Sequence, residues 1–171
     1  MRYAILLRGV NVGGSIMKMA GLRDVLTRAG FADVATVLAS GNALVTSDDA
    51  ASEVKTRVDD ALRSHYGYEP HVHVVDLDAL RAIADAYPFE RGRHGWHDYV
   101  LFAPEAAVRA DILRVDLDPA LERAAEGAGV VYWTVPKGET LGSRLGALIG
   151  KPALKPHLTS RNLNTVEKLL R

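Results

Sequence analysis

The strongest constraint on the fold is the order in which short apolar runs and amphipathic stripes follow one another. Residues 3–7 are apolar throughout and stop at a Gly- and Asn-rich loop, which reads as a buried strand. Met19, Leu22, Leu26 and Ala29 then recur at helical spacing across residues 18–29, and Gly30 is a natural stop. Residues 34–38 and 43–46 read as two strands joined by the turn Ser40-Gly41-Asn42. Val54, Val58, Ala61 and Leu62 form the stripe of a second helix that ends near Gly67, and residues 72–75 form a fourth strand. A short helix with Leu77, Leu80, Ile83 and Ala84 inward runs until Tyr87-Pro88 breaks it. The order is β-α-β-β-α-β-α.

The second half reads as a degenerate copy. Tyr99-Val100-Leu101-Phe102 mirrors Tyr3-Ala4-Ile5-Leu6, and Pro104 opens a helix carrying Val108 and Ile112. Residues 122–126 and 130–135 flank Gly127-Ala128-Gly129 as a hairpin, although 121–126 also suits a helix. Leu141, Leu145, Leu148 and Ile149 mark a helix closed by Gly150 and Pro152. A last helix starts at Thr159 or Ser160 and carries Leu163, Val166, Leu169 and Leu170. The expected fold is α+β: two ferredoxin-like (βαββαβ-type) halves in pseudo-repeat plus a C-terminal helix. The halves span 1–89 and 98–171, with the Gly-rich, charged, aperiodic stretch 90–97 as linker.

Charge and composition narrow the function. Lys plus Arg number 21 and Asp plus Glu number 21, so a protein that coats nucleic acid by bulk charge is disfavoured. With no cysteine, disulfides, thiolate metal sites and a Cys nucleophile are excluded. The apolar run at 4–7 is too short for a signal-peptide core, and no run approaches a membrane span, which makes the cytoplasm the expected location and no membrane the expected setting.

Topology brings distant loops together. A β-α-β crossover leaves its two strands parallel. The loop after residues 3–7 and the turn Ser40-Gly41-Asn42 therefore belong at one sheet edge, with the start of the helix near Lys18. Glycines there let backbone N–H groups approach a ligand, and a helix start carries unpaired donors. Arg8 and Lys18 supply positive charge, while Asn11, Ser40 and Asn42 supply neutral polar groups. With Gly9, Gly13, Gly14 and Gly41 they suit a phosphate, a carboxylate or another small anion. The spacing matches neither the Walker loop nor the Gly-x-Gly-x-x-Gly dinucleotide pattern. The competing reading is plain turn chemistry, with Arg8 paired structurally.

The same residues carry a resemblance. Arg8-Gly9-Val10-Asn11-Val12-Gly13-Gly14, Lys18-Met19 with Leu22-Arg23, Ser40-Gly41-Asn42, and Arg161-Asn162 with Thr165-Val166 and Lys168-Leu169 resemble the landmarks of a bacterial family called domain of unknown function 1697. The resemblance implies two ferredoxin-like halves and brings no activity with it. It draws attention to Arg161 and Asn162, in the first turn of the expected last helix, as a third contributor to the anion site. Their structural reading is a clamp, with Arg161 pairing an acid and Asn162 bonding backbone.

Other chemistries have less support. His71-x-His73 and His94-x-x-His97 lack the ligand count and supporting residues of a zinc site, so neither metal nor cofactor is expected. Alternating histidines on a half-exposed strand read as surface. Ser15 and Ser40 are loop serines without a nucleophile elbow, and His65 and His157 have no evident link to them, so catalytic residues stay unassigned. Asp48-Asp49 and Asp59-Asp60 read as solvated helix starts and faces. A non-catalytic module that binds nucleic acid or a protein is the alternative to a small-ligand protein. Tyr3, Tyr99, Phe102, Tyr132 and Trp133 are the rings a base-stacking sheet would use, and Arg91, Arg93 and Trp96 are candidates for a backbone contact. No oligomeric state is legible.

Overall fold

The computed structural model describes residues 1–12, 15–67 and 71–171. They form two compact units, Met1–Arg81 with Lys168–Arg171, and Ala82–Glu167.

The first unit contains β1 (Arg2–Arg8), β2 (Asn11–Val12), β3 (Ser15–Ile16), α1 (Met19–Arg28), β4 (Ala32–Thr36), β5 (Asn42–Thr46), α2 (Ala51–Tyr66) and β6 (His71–Asp76). The next helix, α3 (Leu77–Asp85), runs on into the second unit. The sheet order is β4-β5-β1-β6 with every neighbouring pair antiparallel, which is the ferredoxin-like arrangement. Because β1 and β4 both run antiparallel to β5, they point the same way, as the crossover argument requires.

Helical periodicity decides what α1 and α2 bury. Leu22, Val25 and Leu26 of α1, and Val54, Val58 and Leu62 of α2, pack on Tyr3, Ile5, Leu7, Ala43, Val45 and Val72 of the sheet. Each fully buried aliphatic side chain contributes about 1.5–3 kcal/mol relative to exposure. Residues of the opposite sheet face, Ala4, Leu6, Asn42 and Leu44, are buried as well. Arg57 joins the two helices. Its guanidinium lies 4.3 Å from the Phe31 ring centroid, donates to the Ala29 carbonyl at 2.8 Å and pairs with Asp49. After β1, the described residues of β2 and β3 pair as a short ladder.

The second unit contains β7 (Trp96–Phe102), α4 (Ala106–Leu113), β8 (Arg123–Gly127), β9 (Val130–Pro136), α5 (Arg144–Ile149), a 3-10 turn at Pro152–Leu154 and β10 (Thr159–Asn162). The last helix, α6 (Leu163–Leu169), ends in the first unit. The sheet order is β10-β7-β9-β8, again antiparallel throughout, so the second unit repeats the first. Leu101, Val131, Trp133 and Val135 meet Val108, Ile112 and Leu145 in its core.

Two helix assignments change. Thr159 and Ser160 do not cap the last helix; they begin β10. Thr159 and Arg161 are buried while Ser160 and Asn162 are half-buried, a period of two, and all four pair with β7. The capping role passes to Asn162, whose Oδ1 accepts the Asn164 amide at 3.0 Å. Leu141 lies before α5 and is 87% exposed, outside the helical stripe. The stretch 121–126, open between strand and helix, carries β8. Strand β7 starts at Trp96, within the aperiodic stretch 90–97. No described helix is long and apolar enough to cross a membrane.

Candidate functional site

The edge where β1 ends is built by backbone first. The Leu7 amide donates to the Gly41 carbonyl at 2.8 Å, which holds the β4–β5 turn against the end of β1. Val37 and Asn42 close that turn. The Val37 amide donates to the Asn42 carbonyl at 2.9 Å, and the Asn42 Nδ2 donates to the Val37 carbonyl at 3.1 Å. Within the turn, Leu38 has φ 59° and is 45% exposed, a conformation that costs a non-glycine residue energy. The Met17 amide returns to the Val10 carbonyl at 3.2 Å and feeds the chain into α1, with Lys18 at the N-cap position.

Each expected site residue of the first unit has a distinct place. Arg8 is half-buried at the end of β1, opposite His71 in register. Removal from water lowers its guanidinium's affinity for the proton from the ordinary value. Gly9 follows with φ 83°, in the left-handed region. The backbone of Asn11 pairs with Ile16. Gly13 and Gly14 lie outside the described residues. Lys18 is exposed, and so is Ser40, whose Oγ accepts from the Asn42 Nδ2 at 2.9 Å. Asn42 is completely buried, with its amide committed to Val37 and Ser40. Gly41 has φ 73°, and a Cβ built on it would meet Val10 Cγ1 at 2.8 Å. Gly41 and Asn42 thus have a clear structural duty, which is the turn-chemistry reading.

Arg161 and Asn162 belong to the second unit. Arg161 is 8% exposed, and its Nη1 donates to Thr159 Oγ1 and to the Ser160 carbonyl, each at 2.8 Å. As residues of β10 they do not project from a helix's first turn. These contacts, to a hydroxyl and a carbonyl, fit the clamp reading in kind.

The other sequence candidates resolve similarly. His73 is buried, not a surface residue, because its side chain falls on the face of β6 shared with Leu6. His157 Nδ1 lies 2.7 Å from Glu105 Oε1, and His65 meets Tyr66 edge to face at 4.6 Å. Among the described residues, no group of three His, Cys, Asp or Glu is placed to hold a metal ion. Asp49, Asp59 and Asp60 pair with Arg57, Lys55 and Arg63, respectively. Of the five rings weighed for base stacking, Tyr3, Phe102, Tyr132 and Trp133 are 3% exposed or less, and Tyr99 stacks on Trp133 at 5.1 Å.

Sequence reasoning missed two buried carboxylates in the second unit. Glu122 accepts from Trp133 Nε1 at 3.0 Å and from the Arg144 amide at 2.9 Å, joining β9 to the start of α5. Asp98 accepts from the Tyr87 hydroxyl at 2.8 Å, Thr134 Oγ1 at 3.2 Å and the Gly92 amide at 2.9 Å. The available signal was an acid inside an apolar strand, between Trp96 and Phe102.

Comparison with known proteins agrees with the fold. The conserved bacterial protein SP0830 from Streptococcus pneumoniae superposes with a TM-score of 0.82 at 26% identity, covering 99% of this chain and 98% of that one. No curated protein sequence gives a significant match. Residues 1–132 match the model of the family described as "Protein of unknown function (DUF1697)", and the chain belongs to that family.

Proposed function

We propose that the protein binds a small anionic ligand, phosphate- or carboxylate-bearing, at the first-unit edge where β1 ends. The observation that supports this most is the half-buried Arg8 guanidinium beside Gly9. A cation partly withdrawn from water attracts an anion more strongly than a solvated one. Lys18 and Ser40 are exposed on the segments that return to this edge and are the natural additional contacts. The buried Asn42 amide and Gly41 serve this reading as scaffold: they hold the turn that carries Ser40. The backbone of Asn11 is the remaining described contributor from the loop.

A thermal-shift screen with nucleotides, phosphosugars and dicarboxylates tests the proposal, because a ligand that binds only the folded state raises the melting temperature by mass action. Arg8→Ala is expected to abolish the response. Ligand responses that survive Arg8→Ala unchanged would remove the proposal. Burial of the sheet rings counts against a base-stacking module; the charge-driven version predicts binding in a gel-shift titration at low salt that weakens steeply as salt rises.

A further inference from the structure

The second unit carries a cavity of about 170 Å³ lined by Pro88, Phe89, Glu90, Arg93, Arg123 and Thr134. Register organises its floor. Arg123 of β8 stands opposite Thr134 of β9, and Thr134 stands opposite Asp98 of β7, so the three side chains form a row on one sheet face. Thr134 donates its hydroxyl proton to the buried Asp98 carboxylate, since an ionised carboxylate only accepts. Its oxygen keeps two lone pairs to accept with, one of them shared with the neighbouring Tyr87 hydroxyl. The other two donors to Asp98, the Tyr87 hydroxyl and the Gly92 amide, are neutral groups, so the hydrogen bonds to this carboxylate come from no cation.

The two arginines bring the opposite charge. Arg93 is set by its position 4.1 Å above the Trp96 ring, and Arg123 by an Nε bond of 3.2 Å to the Pro119 carbonyl. Two arginines favour a carboxylate, which their planar donors match. Glu90, the Thr134 oxygen and the field of Asp98 favour a cationic donor. A ligand with only one of these charges leaves half of the lining unanswered.

We propose that this cavity binds a small zwitterion of the α-amino acid class, with its carboxylate on Arg93 and Arg123 and its ammonium toward Glu90 and Thr134. Size sets the limit. A cavity near this volume holds a benzene-sized molecule, so the ligand has on the order of six to ten non-hydrogen atoms. Pro88 and Phe89 give its side chain an apolar wall. This site is separate from the Arg8 edge and does not depend on it.

Calorimetric titration of the full chain with glycine, L-alanine, L-serine, L-threonine and L-aspartate tests the assignment, with glycolate, ethanolamine and inorganic phosphate as probes bearing one charge sign. Saturable binding of at least one amino acid is expected, weakened about tenfold or more in Arg93→Gln and in Arg123→Gln and unchanged in Arg8→Ala. Both arginines are exposed, so the variants should fold, and circular dichroism verifies that they do. The proposal is overturned if none of the amino acids binds saturably, if glycolate or phosphate binds as tightly, or if binding survives both arginine substitutions.

Discussion

The Leu7 amide and the Gly41 carbonyl meet at 2.8 Å, and this bond joins the end of a strand to a turn more than thirty residues away in the chain. It makes the end of β1 and the β4–β5 turn one mechanical unit. A change on either side is felt on the other.

Gly41→Ala tests that unit directly. The new Cβ would lie 2.8 Å from Val10 Cγ1 and 3.1 Å from Leu7 Cβ, on a backbone with φ 73°. Overpacking and backbone strain together are expected to cost about 2–4 kcal/mol. Urea denaturation measures this, and a loss within about 0.5 kcal/mol, the range of a neutral surface change, contradicts it.

Asn42→Ala separates scaffold from ligand contact. The substitution leaves the Val37 carbonyl without its side-chain donor in a buried site. The expected cost is about 1–3 kcal/mol in unfolding free energy. A variant of unchanged stability shows that the amide is not a lock.

In the second unit, Gly146→Ala is expected to be the harsher glycine substitution. A Cβ there would collide with the Thr140 carbonyl oxygen, and backbone cannot swing aside as a side chain can. A loss above about 3 kcal/mol, or failure to fold, is expected. Near-native melting overturns this view of the turn before α5.

Glu122→Gln probes the carboxylate between Trp133 and α5. Glutamine keeps the shape but replaces one acceptor oxygen by a donor, which then faces either the indole N–H or the Arg144 amide. The expected loss is about 2–4 kcal/mol. Chemical denaturation followed by Trp133 fluorescence reads it, and a loss below about 0.5 kcal/mol rejects the role.

Tyr87 predicts an alkaline limit. Burial, and then the bond to the Asp98 carboxylate, push its phenol well above the ordinary value of 10.0. The native state therefore keeps a proton that the unfolded chain releases. The stabilisation is complete below about pH 10 and is lost as pH rises towards the folded value. Burial pushes Tyr132 the same way. Stability curves between about pH 8 and pH 11.5 should fall at the alkaline end, and less steeply in Tyr87→Phe. Identical slopes in the two proteins contradict the assignment.

Local pattern carried most of the fold. The stripes of α1 and α2 and the apolar runs of β1, β7 and β9 are readable because one periodicity dominates each. The element that misled is β10. Thr159 and Ser160 ahead of an apolar run have the letters of a helix start, but the open edge of β7 settles their conformation, and that edge is absent from the local sequence. The ladder of β2 and β3 is two residues per strand, too short to show a period. At the candidate edge, the meeting of the end of β1 with the Ser40–Asn42 turn followed from the parallel strands a crossover leaves, whereas the commitment of the Asn42 amide depended on burial. The Arg93–Arg123 cavity draws on the segment before β7 and on β8 and β9, and only its Arg123–Thr134 pair is set by strand register.

The position of β10 also bears on how the chain is made. It emerges after β7, β8 and β9, yet it covers an inner strand: without Thr159–Asn162, β7 presents a free row of amides and carbonyls. A nascent or truncated chain ending before residue 159 would offer that edge to any other strand nearby, including one from its own copies. Residues 159–162 thus do more than complete the sheet: they occupy a pairing edge that would otherwise be open to another strand.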